Sequence, residues 1–219
     1  NGKWYYVEKG TVNFKKQGLF KHTDGIWYYV KGGETQPKFV GMIKHTDGKW
    51  YYVKNGKVQK TYTGLAKQTN GKWYYVEKGT VNFKKQGLFK YTNGNWYYVK
   101  KGVKQDSFNG LVKQTNGKWY CVTKGKVNFG KTGLVKQTNG SWYYVKKGVL
   151  QPKFNGLVKH TNGKWYAVRN GKVRSDYTGL VKHTNGKWYY VKKGVWKTNY
   201  NGKTKYNGKV YTRKKGIKV

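Results

Sequence analysis

Nine tryptophans, Trp4, Trp27, Trp50, Trp73, Trp96, Trp119, Trp142, Trp165 and Trp188, stand 23 residues apart without an insertion or deletion. A period held that strictly means one structural unit copied many times. A unit this short cannot enclose a core, so each copy must bury its apolar face against its neighbours. The full unit reads Gly-Leu-Val-Lys-x-Thr-(Asn or Asp)-Gly-x-Trp-Tyr-Tyr-Val-x-x-Gly and is followed by a more variable link.

Asn-Gly or Asp-Gly between two apolar runs is a strong short-range hairpin signal, because both residues of a tight two-residue turn take positive φ. Read that way, the second unit pairs Leu19 with Val30, Phe20 with Tyr29, Lys21 with Tyr28 and His22 with Trp27. Alternation then gives one face of Leu19, Tyr28 and Val30, and another of Phe20, Trp27 and Tyr29. The fold class expected is all-β: a solenoid of stacked β-hairpins, nine units of 23 residues.

The array is expected to run over 1–195, with its first unit truncated, and an atypical capping unit over 196–219, where Lys203 stands in the place of Leu. The chain opens at Asn-Gly-Lys-Trp-Tyr-Tyr-Val, the second half of a unit, so residue 1 reads as a cut. Residues 1–21 are identical to 70–90, as a recent duplication of three units would leave them. The links are of three kinds, Val-Asn-Phe-Lys-Lys-Gln-Gly, Gln-Pro-Lys-Phe-Asn-Gly and those ending in Tyr-Thr-Gly.

Lys and Arg number 47 against 7 Asp and Glu, a net charge of +40 spread along the whole chain. With 18% aromatic residues this is not the composition of a disordered polycation. No apolar run approaches the roughly 18 residues of a membrane span. A body so charged attracts polyanions, with affinity that falls as salt rises. Only Arg169, Arg174 and Arg213 are arginines, and specific base reading favours Arg, so sequence-specific nucleic-acid recognition is not expected.

Catalytic chemistry finds no footing. The carboxylates are Glu8, Glu34, Glu77, Asp24, Asp47, Asp106 and Asp176, without a pair placed for acid–base work. His22, His45, His160 and His183 stand where other units have Gln68, Gln114, Gln137 or Tyr91, which reads as a pairing position opposite Trp and not a metal ligand. Cys121, the single cysteine, replaces the second Tyr of its unit and reads as drift at a tolerant position. No enzyme, metal or cofactor is expected.

The first Tyr of each unit and the Val two places on never change, whereas the second Tyr becomes Cys121 or Ala167. This points to the first Tyr and Val as core, and to Trp with the second Tyr as shallow ledges for sugar rings or a cation. The candidate ligand-binding residues are Trp27, Tyr29, Trp50, Tyr52, Trp73, Tyr75, Trp96, Tyr98, Trp119, Trp142, Tyr144, Trp165, Trp188 and Tyr190. Lys31, Lys54, Lys100, Lys146 and Lys192 share their parity and form the candidate basic rim.

The Gly-x-Trp-Tyr-Tyr-Val block, preceded by a glycine-led strand, resembles the choline-binding and cell-wall-binding repeats of Gram-positive surface proteins, lysins and clostridial toxin tails. The likeness runs from Asn1 to about Val195. It implies a hairpin solenoid attached to a partner domain, secreted or at the bacterial surface, with ligand held between successive hairpins by the tryptophans from Trp27 to Trp188. The family's choline cage also uses the Trp of a Gly-Trp pair, which here reads Gly18-Leu19, Gly41-Met42 and Gly64-Leu65, so one wall is absent. The positive charge likewise favours an anionic ligand over a quaternary ammonium.

The expected function is therefore a non-catalytic module that attaches its parent to an anionic cell-wall polymer or glycan. One alternative is a self-assembling or adhesive fibre, with hairpins stacking end to end or laterally between chains. Another is non-specific binding of a polyanion such as nucleic acid or a membrane surface.

Overall fold

The computed structural model describes residues 3–218, and no helix occurs among them. It divides into two compact units, Asn1–Asp106 and Ser107–Val219, built on the same repeat. In one repeat of the first unit, Gly18–Lys21 pairs antiparallel with Trp27–Lys31, which turns back into the short strand Glu34–Thr35. In the second unit Gly133–Lys136, Trp142–Lys146 and Val149–Leu150 repeat the pattern.

The observed register differs by one residue from the sequence expectation. Leu19 lies opposite Tyr29, Phe20 opposite Tyr28 and Lys21 opposite Trp27. One face therefore carries Leu19, Lys21, Trp27 and Tyr29, and the other carries Phe20, Tyr28 and Val30. The reason lies in the turn. His22 N–H donates to the Ile26 carbonyl (2.9 Å) and Gly25 N–H to the His22 carbonyl (2.9 Å), closing a three-residue loop. Gly25 has φ +79°, whereas no positive φ occurs at Asp24. Its Oδ1 accepts the Ile26 N–H at 2.8 Å, and an extra residue in the loop shifts every pair by one.

The two-residue turn with both φ positive does occur, but at the other end of the second strand. Asn55 (φ 51°) and Gly56 (φ 69°) join Trp50–Lys54 to Lys57–Val58, with Lys54 opposite Lys57. That turn carries the stacking. Gly56 N–H donates to the Phe39 carbonyl (3.1 Å), and its own carbonyl accepts Tyr29 N–H of the preceding repeat (2.8 Å). The short strand that follows pairs across, Lys57 with Tyr28 and, one repeat on, Thr80 with Tyr51. A Cβ on Gly56 would lie 2.6 Å from the Gln36 carbonyl oxygen, and one on Gly79 would lie 2.7 Å from that of Gln59. Glycine is required there both for its φ and for this approach.

The core forms between repeats. Leu19 and Tyr29 of one repeat enclose Val53 of the next, and Leu65 and Tyr75 enclose Val99. Val53, Val76, Val99, Val145 and Val191 have no exposed surface. The second Tyr belongs to this core in most repeats: Tyr29, Tyr52, Tyr75 and Tyr98 are buried, as are Cys121 and Ala167, while Tyr144 and Tyr190 are half-buried. Its tolerance to change is therefore not the tolerance of a surface position. Tyr29 packs on Phe39 of the following link (centroids 4.6 Å apart) and Tyr52 on Tyr62 (4.7 Å). Tyr75 packs on Phe89 (4.4 Å), with Lys85 above its ring. The residue at this place is matched to its neighbour.

Beyond Trp196 the chain forms one more hairpin, Gly202–Tyr206 with Lys209–Lys214, now closed by a true two-residue turn at Asn207 (φ 46°) and Gly208 (φ 77°). In it Arg213 takes the place of the invariant Val. Its side chain is buried, with Nε and Nη2 unpaired.

Gly79→Ala is expected to lower stability by roughly 3 kcal/mol, since strain at positive φ adds to a backbone collision. Gly71→Ala, at φ +82° with open space around it, is expected to cost only about 1 kcal/mol. Denaturant midpoints of the two variants test the difference. Arg213→Val, which removes an unpaired buried charge, is expected to raise the melting temperature of the C-terminal hairpin, read by hydrogen exchange over 202–218.

Candidate binding clefts between repeats

From Trp27 to Trp188 the tryptophans begin the second strand, each opposite a lysine, as Lys44 faces Trp50. In none of the nine repeats is this indole buried; Trp4 and Trp119 are exposed and the others half-buried. Trp4, Trp27, Trp73, Trp142, Trp165 and Trp188 each meet a ring of the repeat that follows. Trp27 meets His45 edge-on at 5.0 Å, Trp73 meets Tyr91 at 5.2 Å, and Trp142 meets His160 at 4.8 Å. The histidines are thus not cross-strand partners of Trp in their own hairpin, as the sequence suggested. They wedge between the Trp of one repeat and the first Tyr of the next, as His45 does with Tyr51 at 5.9 Å.

Gln can replace His there for a second reason. Gln68 Oε1 accepts Met42 N–H (2.9 Å) and its Nε2 donates to Met42 O (2.8 Å), and Gln137 does the same for Leu111. His183 Nδ1 accepts the Leu157 N–H at 3.2 Å, and burial lowers its pKa, so the neutral ring that can accept is favoured.

The first Tyr stands at the cleft wall, held by the turn. Tyr51 donates its hydroxyl to Asp47 Oδ2 (2.7 Å) and Tyr28 to Asp24 (2.8 Å). Where Asn replaces Asp the direction reverses, and Asn162 Nδ2 donates to Tyr166 (2.8 Å). The Tyr51 hydroxyl, then the Lys49 N–H, hold the Asp47 carboxyl below its ordinary range, so it remains charged.

These elements enclose two equivalent clefts in the first unit. One, of about 330 Å³, is lined by Trp27, His45, Asp47, Tyr51 and Lys60 above Leu19 and Val58. The other, of about 120 Å³, is lined by Trp50, Gln68, Asn70, Tyr74 and Phe83 above Met42 and Val81. The link decides the outer wall, Lys60 in one and Phe83 in the other. Phe14, Phe83 and Phe129 are exposed and edge-on to Tyr5, Tyr74 and Tyr120.

The expected ledge of Trp with the second Tyr of its own repeat is not what lines these clefts; the first Tyr of the following repeat is. Lys31, Lys54, Lys100, Lys146 and Lys192 are exposed, but they end the strand that Trp begins. A hollow of about 720 Å³ in the second unit does bring Trp165, Tyr190 and Lys192 together, beside Trp196. Sequence reasoning missed the first Tyr and Phe83. The available signal was the link type, since Val-Asn-Phe sets its Phe at the same distance from the preceding Tyr in each copy.

All seven carboxylates are engaged locally. Glu8 pairs with Lys16 (3.2 Å), Glu34 with Lys3 (3.1 Å), Glu77 with Lys85 (2.7 Å), Asp176 with Arg174 (2.8 Å) and Asp106 with Lys104, while Asp24 and Asp47 hold turns. No group of three or more potential metal ligands occurs among the described residues. No helix among them is long and apolar enough to cross a membrane.

The profile of the choline-binding repeat matches residues 1–13, 15–33, 38–59, 61–82, 84–105, 107–128, 130–151, 153–174 and 176–195. No curated protein matches the chain. Among solved structures, alternansucrase in complex with isomaltononaose is similar at 19% identity and a TM-score of 0.29, over 90% of this chain and 18% of that one. Streptogramin B lyase follows at 10% identity and 0.11, over 90% and 67%. Virginiamycin B lyase from Staphylococcus aureus gives 13% and 0.12, over 90% and 69%. The chain thus spans 18% of the length of the alternansucrase. Nine successive matches on the hairpins that build the clefts place this chain in the choline-binding repeat family, a family of binding modules.

Proposed function

We propose that the chain is a non-catalytic module that holds a secreted or surface protein on an anionic cell-wall polymer or glycan. The observation that carries this reading is the open cleft between Trp27 of one repeat and Tyr51 of the next, repeated at Trp50 and Tyr74. An aromatic pair set apart by a polar wedge takes the face of a sugar ring, with Asp47 or Asn70 and His45 or Gln68 at its edge for hydroxyls. The exposed lysines act at longer range. With the carboxylates engaged in pairs and turns, the excess of lysine over acid faces solvent and draws a polyanion toward the clefts.

Each cleft is small and open, so its own affinity is modest and the array gains strength by engaging several repeats of a polymer at once. A second ligand class is favoured by two particular observations. Phe83 supplies a third aromatic wall beside Trp50 and Tyr74, and Asp47 sets a carboxylate beside Trp27. Both suit a quaternary ammonium such as choline carried on the same polymer.

Retention on purified wall sacculi, before and after removal of teichoic acid, tests the module. The wild-type chain is expected to be retained at moderate salt and released as salt rises. Trp27→Ala with Trp50→Ala is expected to weaken retention about tenfold, at roughly 0.5–1.5 kcal/mol per stacked ring. Failure of both preparations to retain the wild type would overturn the reading, and growth of light scattering with concentration in the absence of polymer would favour a fibre. Elution by choline of the wild type but not of Phe83→Ala identifies the second ligand class.

A further inference from the structure

Two repeats in the second unit lack the phenol that fills this place in the others, and one of them carries only a methyl group. At the place of Tyr29, Tyr52 and Tyr75 stands Ala167, 2% exposed and opposite Leu157. The groups that a phenol would have met are still there. Tyr177 in the following link donates its hydroxyl to the Leu180 carbonyl (2.8 Å), as Tyr62 does to Leu65 (2.6 Å). Phe39, Tyr62, Phe154 and Tyr200 each lie 4.3–4.7 Å from the second Tyr of the preceding repeat. No ring stacks on Tyr177 among the described residues.

Both short residues sit in buried clusters, Cys121 with Leu111, Val135 and Val145, and Ala167 with Leu157, Tyr189 and Val191, against which Tyr177 packs. Beside Ala167 lies a cavity of about 390 Å³, with Tyr177, Trp188 and Tyr206 in its wall and Arg169, Arg174 and Lys182 around it. That volume lies within the range of small-molecule sites, about 300–1,000 Å³.

Its charge is unlike that of the clefts in the first unit. It gathers two of the chain's three arginines. The Arg174 fork is engaged by Asp176 (3.0 and 2.8 Å), whereas no hydrogen bond or ion pair holds the Arg169 guanidinium among the described residues. A planar fork beside aromatic faces fits a ring that carries a carboxylate, which two parallel N–H bonds can hold. Asn155 and Asn170 at the same wall can serve ring hydroxyls.

We propose that the hollow left by Ala167 is a binding site for an acidic sugar, a uronic acid unit, with Arg169 on its carboxylate and Tyr177 and Trp188 against its ring. The proposal takes its ligand class from the glycan reading above, but it concerns a site apart from the Trp27 and Trp50 clefts.

Titration calorimetry with digalacturonic acid, and with maltose as the neutral control, tests it on the full chain. Ala167→Tyr restores the residue that most repeats carry and changes no charge, so general attraction of acids to the chain is preserved. Wild type is expected to bind digalacturonic acid and not maltose, Ala167→Tyr to bind it at least tenfold more weakly, and Arg169→Gln about fivefold more weakly. Binding by Ala167→Tyr equal to wild type, equal binding of maltose, or no wild-type binding at millimolar ligand would overturn the proposal. Failure of sacculus retention with digalacturonic acid binding intact would overturn the wall reading alone, because this hollow shares no lining residue with the Trp27 and Trp50 clefts.

Discussion

The contact on which the structure depends is the approach of the x-Gly turn to the link of the preceding repeat. At Gly56 the missing Cβ lets the backbone donate to Phe39 and accept from Tyr29 at once. Those two bonds fix the step from hairpin to hairpin. The step in turn seats Val53 between Leu19 and Tyr29. Hydrophobic burial supplies most of the stabilisation, but the glycine sets the spacing at which it is obtained. A wider step would expose Val and leave backbone groups unpaired.

The clefts are a by-product of that step. Neither wall is complete within one repeat, since Trp27 comes from one hairpin while Tyr51, His45 and Asp47 come from the next. Ligand chemistry is then adjusted without disturbing the frame. Asp or Asn in the turn keeps the contact with Tyr, reversing its hydrogen-bond direction and changing the charge, and the link puts Lys60 or Phe83 at the outer wall. Ala167 is a third form of adjustment, made from the core side, where losing one phenol leaves its neighbours standing. Exchange at conserved spacing thus yields sites of different charge on one scaffold.

The repeat, the hairpins and the family were legible in the sequence because a strict period carries its own alignment. The face assignment was not. Asp24 and Gly25 read as a two-residue turn, yet Asp24 Oδ1 takes the Ile26 N–H and lengthens the loop, and a single residue inverts which side chains share a face. Variation misled as well. Cys121 and Ala167 suggested an unconstrained surface, whereas both are 2% exposed. A core position can vary when its partner varies with it, as Lys131 and Val135 stand near Cys121 where Lys85 and Phe89 stand near Tyr75.

By itself the sequence determined a hairpin repeat of 23 residues, an excess of positive charge, and an indole that recurs in every unit. These follow from local rules, period, turn residues and composition, which act within a few positions of one another. Only the tertiary structure decided that the second Tyr is interior, that the first Tyr faces the preceding Trp, and that Ala167 leaves a hollow beside Arg169. Each of these depends on the register between strands and on side chains brought together from neighbouring repeats, where a shift of one residue exchanges inside for outside.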